Sequence, residues 1–139
     1  MPRVIVNIDV PDLARAIAFY RDAVGLTPVR VLDGDVAELV GESCTLYLLC
    51  KPAGTLASKL GKDPRHYDRH WTPVHVDFVV PDVEAAAERA IAAGAVRESA
   101  TVEWLGSKCI TFSDVFGHGF CLIEFAASGY LDSVPIGEQ

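Results

Sequence analysis

The sequence predicts an α+β fold built from two consecutive βαβββ units. Three observations support this prediction: a repeat at an offset of 70 residues, a Pro-Asp step that ends an alternating strand in both copies, and three extended runs after each predicted helix. Such a duplicated unit predicts two curved mixed sheets that enclose a groove, with one helix outside each sheet.

The repeat aligns residues 4–24 with residues 74–94, with seven identities in 21 pairs. In both copies apolar side chains alternate along a strand, which is typical of a half-buried strand. The proline then ends the strand, and the following aspartate is a preferred first residue for capping a helix. Helices are therefore predicted over residues 12–24 and 82–93. The core is predicted to be led by Val6, Ile8, Phe19, Val76 and Phe78.

The remaining strands are predicted at 27–33, 36–42 and 44–51 in the first unit, and at 95–102, 107–113 and 119–125 in the second. Turn-forming residues separate them at 33–35 and 114–117. Together these elements predict one domain over 1–139, with unit one at about 3–51, a linker at about 52–72 and unit two at about 73–126.

Composition excludes several classes of function. A net charge of −7 and a pI near 4.9 provide no basic surface for phosphates, so no nucleic-acid partner is expected. No apolar run approaches the length of a membrane span, and no leader segment is recognised at the N-terminus. Four cysteines without a CxxC pair indicate free thiols in a reducing compartment, so a cytoplasmic location is expected.

Two segments carry a resemblance to a known family. Residues 10–26, Val-Pro-Asp-Leu-Ala-Arg-Ala-Ile-Ala-Phe-Tyr-Arg-Asp-Ala-Val-Gly-Leu, resemble the first-helix signature of the vicinal oxygen chelate superfamily, and residues 114–124 resemble its final turn and strand. With the second Val-Pro-Asp at 80–82, the resemblance covers nearly the whole chain. It implies the fold of the glyoxalase, bleomycin-resistance and dihydroxybiphenyl dioxygenase proteins, which hosts enzymes and non-catalytic drug binders.

The resemblance also implies where a metal would bind. Enzymes of the superfamily hold a divalent metal with one His, Glu or Gln from the first and last strand of each unit. The matching positions here are Ile5, or Val4 if the register shifts by one, together with Tyr47, His75 and Cys121. Only His75 is an ordinary ligand of that kind, so no metal site of the usual type and no cofactor are expected. A His and a Cys leave divalent-metal binding open as an alternative.

The alternation of the two first strands points Asn7, Asp9, His75 and Asp77 toward the groove. With Tyr47, Cys121 and the flat ring of Trp71, these residues are the predicted ligand-binding set. In the alternative interpretation the aspartates lie in solvent, His75 is a satisfied interior imidazole, and Trp71 packs at an interface. His66 and His70, four residues apart, are interpreted as part of a solvated linker, with a metal clip as the alternative, and His118 is interpreted as surface structure.

The predicted function is therefore that of a glyoxalase-like or bleomycin-resistance-like protein that binds a small molecule without the usual metal. A lyase, isomerase or dioxygenase that depends on a divalent metal is the alternative, and no catalytic residue is assigned. A homodimer is predicted, because half-open sheets tend to complete themselves by pairing edges and the family resemblance points the same way.

Overall fold

The computed structural model describes residues 1–137, which form two helices and nine strands. Unit one contains β1 (Ile5–Val10), α1 (Leu13–Val24), β2 (Thr27–Leu32), β3 (Val36–Val40) and β4 (Thr45–Cys50). Unit two contains β5 (Val76–Val79), α2 (Val83–Ala92), β6 (Val96–Arg97), β7 (Val102–Trp104), β8 (Ser107–Ser113) and β9 (Gly119–Phe125).

Both helices begin where the Pro-Asp steps predict. The carboxylate of Asp12 accepts from the Arg15 backbone N–H at 3.0 Å, and that of Asp82 accepts from the Ala85 N–H at 3.1 Å. Each cap satisfies a donor that the first helical turn leaves without an intrahelical partner. Gly25 ends α1 with a φ of +79°, a conformation that glycine adopts without strain.

Each unit forms its own mixed sheet. The strand order is β1-β4-β3-β2 in sheet one and β5-β9-β8-β6 in sheet two, where β7 also pairs with β8. The first and last strands of each unit run parallel, and the other pairs run antiparallel. The predicted fold class is confirmed.

The predicted strand at 95–102 is wrong as one element, because the chain bends between β6 and β7. The hydroxyl of Ser99 accepts from the Thr111 backbone N–H at 3.0 Å, and the Arg97 guanidinium donates to the Ser99 carbonyl at 2.8 Å. These side chains take hydrogen bonds that a continuous ladder would otherwise make, so the strand divides in two.

One apolar core joins the two units, because α1 and α2 pack against each other as well as against their own sheets. Of the predicted core residues, Phe19 is buried, while Val6, Ile8 and Phe78 are partly buried against the core. The prediction that Val76 belongs to the centre of the core is wrong, because this residue is half-buried and lines the cavities between the units.

A buried polar contact also joins the units. The Tyr20 hydroxyl of α1 donates to Asp114 of unit two at 2.6 Å. The second Asp114 oxygen accepts from the backbone N–H groups of Phe116 and His118, so the carboxylate organises the turn before β9. Within residues 1–137, no helix is both long and apolar enough to cross a membrane.

Candidate functional site

The candidate site lies on the face of the two sheets that is turned away from the helices, here called the inner face. Strand register places equivalent residues at equivalent points of the two units: Asn7 pairs with Tyr47 across β1 and β4, and Asp77 pairs with Cys121 across β5 and β9. Directly paired residues point to the same side of a sheet. Tyr47 in unit one therefore occupies the position that Cys121 occupies in unit two.

Three predicted site residues converge on unit two. His75 Nε2 lies 3.1 Å from Asp77 Oδ1, and one donor atom each of His75, Asp77 and Cys121 lies within 4.8 Å of the others. Strand rise alone predicts a separation of about 7 Å between His75 and Asp77, which applies to their backbones. The side chains lean toward each other, so the structure brings them much closer than that estimate.

The seam between β1 and β5 opens into two cavities. One, of about 400 Å³, is lined by inner-face residues of both units, including Asn7, Asp9 and His75, and by linker residues such as His66 and His70. The other, of about 700 Å³, lies toward the loop 41–45 and is lined by Asp77 on its β5 side. The first cavity gathers more of the predicted ligand-binding residues.

Trp71 lies against His75, with ring centroids 5.6 Å apart in an edge-to-face arrangement. The Arg69 guanidinium covers its indole at 4.6 Å, and the backbone at Gly119 lies so close that an added Cβ would be 2.7 Å from the indole. Arg69 is fixed in turn by two contacts of 2.6 and 2.7 Å to the Glu98 carboxylate. The linker therefore presents a braced aromatic surface beside His75.

Asp9 is not available as a free acid. The Arg65 guanidinium donates to its carboxylate at 2.7 Å, and His118 Nε2 donates to its backbone carbonyl at 2.7 Å. Asp9, one of the predicted ligand-binding residues, therefore has its carboxylate paired with a linker arginine. His118 holds the turn before β9 against β1, as its structural interpretation requires.

The corresponding surface of unit one has different chemistry. Glu38 pairs with Tyr47 across β3 and β4, and its carboxylate is held by Arg30 at 2.6 Å. Arg30 holds the pKa of the Glu38 carboxyl below its usual value. Tyr47 is placed next to Asn7 in the sheet and is not among the residues that line either cavity described above.

The four family positions do not fit the usual metal site. Ile5 has no donor atom, and Tyr47 offers only a phenol, so neither family position of unit one carries a His, Glu or Gln. Unit two supplies a nitrogen from His75 and a thiol from Cys121, with the Asp77 carboxylate between them. A metal shared between both units through the usual ligands is therefore not supported by these side chains.

Cys109 is the residue of this region that the sequence interpretation missed. It lies on β8, diagonal to Cys121 on β9 and on the same face of sheet two. Burial, first of all, raises the pKa of both thiols. The signal was present in the sequence, since the turn at 114–118 fixes the pairing of the flanking strands and places Cys109 on the face of Cys121.

Comparisons with known proteins agree with this architecture. The Glyoxalase-like domain family matches residues 5–123, whereas no curated protein matches the chain. A glyoxalase/bleomycin resistance protein/dioxygenase from Nocardioides is 19% identical with a TM-score of 0.68, over 97% of this chain and 90% of that one.

Two further solved structures are similar. A lactoylglutathione lyase from Agrobacterium tumefaciens is 25% identical with a TM-score of 0.63, over 88% of this chain and 92% of that one. The fosfomycin resistance protein FosX from Listeria monocytogenes is 17% identical with a TM-score of 0.66, over 89% and 93% of the two chains.

Proposed function

This chain belongs to the family of glyoxalase-like domains in the vicinal oxygen chelate superfamily, and from that membership we propose that it binds a small, flat molecule carrying a phenol or an anionic group. The observation that carries the proposal is the cavity of about 400 Å³ beside β1 and β5, where His75 meets apolar walls from both units. Ligand pockets of this size combine apolar walls with a few orienting polar groups.

Four of the predicted ligand-binding residues and three apolar neighbours have proposed roles. Val6, Ile8 and Val76 supply apolar contact, and the Asn7 amide offers a hydrogen bond at the same wall. Trp71 packs edge-to-face with His75 and is 45% exposed, so its indole offers aromatic surface to a planar ligand. Asp77 lies at ion-pair distance from His75 and therefore positions the imidazole as the group that orients the ligand.

The proposal is tested with 8-anilino-1-naphthalenesulfonate, a flat apolar anion whose fluorescence rises on burial. The protein is expected to bind one equivalent in the presence of EDTA. His75→Ala is expected to weaken binding about 10- to 100-fold, the value of a hydrogen bond to a charged group of about 1.5–3 kcal/mol. Because His75 is 42% exposed in its side chain, the variant should keep its thermal midpoint.

His66→Ala is the matched control, since it removes a histidine of the same cavity that contacts Asp68 at 3.6 Å on the linker. Its affinity should stay within about twofold of the parent protein, well below the value of one hydrogen bond. Normal probe binding by His75→Ala together with a lower thermal midpoint would show that His75 has a structural role and would contradict the proposal.

A second candidate function is a lyase, isomerase or dioxygenase that depends on a divalent metal. One observation favours it: donor atoms of His75, Asp77 and Cys121 lie within 4.8 Å of one another. The test is turnover that disappears on chelation and returns with one equivalent of metal. Binding of the anionic probe that is insensitive to EDTA, with no turnover at any metal loading, would favour the binding protein instead.

We also propose a cytoplasmic homodimer. Large apolar side chains lie exposed along strands of both sheets: Val29, Val31, Val79, Val96, Val102 and Trp104. A second copy that covers them would remove this surface from water, which stabilises association. The four free cysteines support a reducing compartment. Sedimentation at tens of micromolar tests the dimer, and a single monomeric species would exclude it.

A further inference from the structure

The two cavities at the seam are built from equivalent parts of the repeat. The first is lined by residues 6–9 of β1 and by 117–119 in the turn before β9. The second is lined by residues 76–79 of β5 and by 43–45 in the loop before β4. The 70-residue offset relates the two strands, and the equivalent strand pairings in the two sheets relate the two turns. The strand and turn walls alone therefore do not distinguish the two cavities.

The linker is what distinguishes the first cavity from the second. Several residues between 66 and 72 line the first cavity, whereas, within the described part of the chain, no residue of 52–72 lines the second. The first cavity is also smaller, at about 400 Å³ against about 700 Å³. All four histidines of the chain line it, and His66 and His70 belong to the linker. The linker therefore narrows the first cavity and supplies half of its imidazoles.

Two arginines attach this part of the linker, one to each unit. The Arg65 guanidinium donates to the Asp9 carboxylate of β1 at 2.7 Å. The Arg69 guanidinium donates twice to the Glu98 carboxylate of unit two, at 2.6 and 2.7 Å. Both arginine side chains are largely buried, at 16% and 27% exposed. Since paired charge-assisted hydrogen bonds fix orientation as well as adding energy, the segment between these arginines is held across the seam at both ends.

The middle of the segment packs closely against the turn before β9. The Tyr67 hydroxyl donates to the Lys51 carbonyl at 2.6 Å, and the Tyr67 ring lies 5.7 Å from that of His118. An added Cβ at Gly117 would lie only 2.7 Å from the Tyr67 carbonyl oxygen. The segment has no room to move toward this turn, so loss of an attachment should widen the cavity and not narrow it.

We propose that residues 65–71 form a roof that determines which ligands enter the first cavity, and that Arg65 and Arg69 are the positioning residues of this roof. The inference rests on the proposed binding function, because it concerns the selectivity of the same cavity. With both arginines paired, the roof admits a compact flat anion and excludes a wider one. Release of either arginine should make the first cavity an open groove like the second.

The test compares 8-anilino-1-naphthalenesulfonate (ANS) with its covalent dimer bis-ANS, which has the same rings in a wider molecule. Glu98→Gln removes the partner of Arg69 and leaves the cavity lining unchanged. The affinity of a ligand that needs the open form rises with the population of that form. The variant should therefore strengthen bis-ANS binding relative to ANS about fivefold, which corresponds to an ion pair of about 1 kcal/mol.

The position of the bound probe is read from Trp71. A Trp104→Phe background leaves Trp71 as the only tryptophan and also removes an exposed indole from unit two. Because Trp71 lies against His75, energy transfer from Trp71 to either probe reports occupation of the first cavity. Asp9→Asn, which releases Arg65 instead, is a second variant that keeps the test decisive if Glu98→Gln is unstable. It should change the ratio of the two affinities in the same direction.

Glu38→Gln is the matched control, since it removes a carboxylate paired with an arginine at 2.6 Å in unit one and lines neither cavity. It changes the net charge by the same amount as Glu98→Gln and should leave the ratio of affinities unchanged. A ratio that is unchanged in both Glu98→Gln and Asp9→Asn, or that changes equally in the control, would overturn the roof and leave the proposed function intact. Binding of ANS only after Glu98→Gln would support the roof and refute the proposed function. Absence of binding in the parent and in every variant would refute both.

Discussion

Removing one hydroxyl group should weaken the connection between the two units measurably. The Tyr20 hydroxyl donates to the Asp114 carboxylate at 2.6 Å, and both residues are at most 3% exposed. A hydrogen bond to a charged group contributes about 1.5–3 kcal/mol, and complete burial places this one in the upper half of that range. Tyr20→Phe keeps the ring packed and removes only the donor. At about 2–4 °C per kcal/mol for a domain of this size, the melting temperature should fall by roughly 4–12 °C.

The assay is urea unfolding followed by both circular dichroism and tryptophan fluorescence. Tyr67→Phe is the matched control, since its hydroxyl donates at 2.6 Å to the neutral, part-buried carbonyl of Lys51. That control should lose only about 0.5–1.5 kcal/mol. A loss below about 0.5 kcal/mol in Tyr20→Phe, or a loss no greater than that of the control, would refute the reasoning that this contact clamps the units together.

Two further predictions concern the braced linker. Arg69 holds the pKa of Glu98 below its ordinary value, so Glu98→Gln should lose about 1 kcal/mol at pH 7. This difference, measured by thermal melts, should shrink as pH falls through the lowered pKa of Glu98 in the folded protein, and a pH-independent difference would contradict it. Gly119→Ala should displace the exposed Trp71 ring, shifting its fluorescence while the fold persists. Gly117→Ala, with φ at +96° and a linker carbonyl 2.7 Å from the new Cβ, should instead lower stability, and the reverse ranking would refute this.

The sequence predicted the elements whose signals are local. The capping aspartates Asp12 and Asp82 fix both helix starts, and the last two strands have the predicted bounds, Ser107–Ser113 and Gly119–Phe125. The division between β6 and β7 was missed because it depends on the Ser99 hydroxyl reaching a neighbouring strand. Alternation cannot reveal such a bond, since it reports only which side chains face the core.

The candidate site was predictable at the level of the strand face and not beyond it. Period-2 alternation placed His75 and Asp77 on the same side, but their 3.1 Å approach depends on side-chain rotation. The ion pair between Arg65 and Asp9 depends on how the 25-residue connection between β4 and β5 folds, and the sequence of this connection has no periodic signal. Pairing across a hairpin does follow from the position of the turn. The placement of Cys109 and Cys121 on the same face of sheet two could therefore have been predicted from the sequence.

The contact between His118 and the Asp9 carbonyl has a consequence for how copies of this chain can associate. Strand β1 hydrogen-bonds to β4 along one side only, so the backbone groups on its other side form an open edge. Such edges attract strands from other molecules, and proteins commonly block them. His118 Nε2 donates to the Asp9 carbonyl near the carboxyl end of β1, so that acceptor is not free for an added strand. An added strand could therefore pair with this end of β1 only by displacing His118.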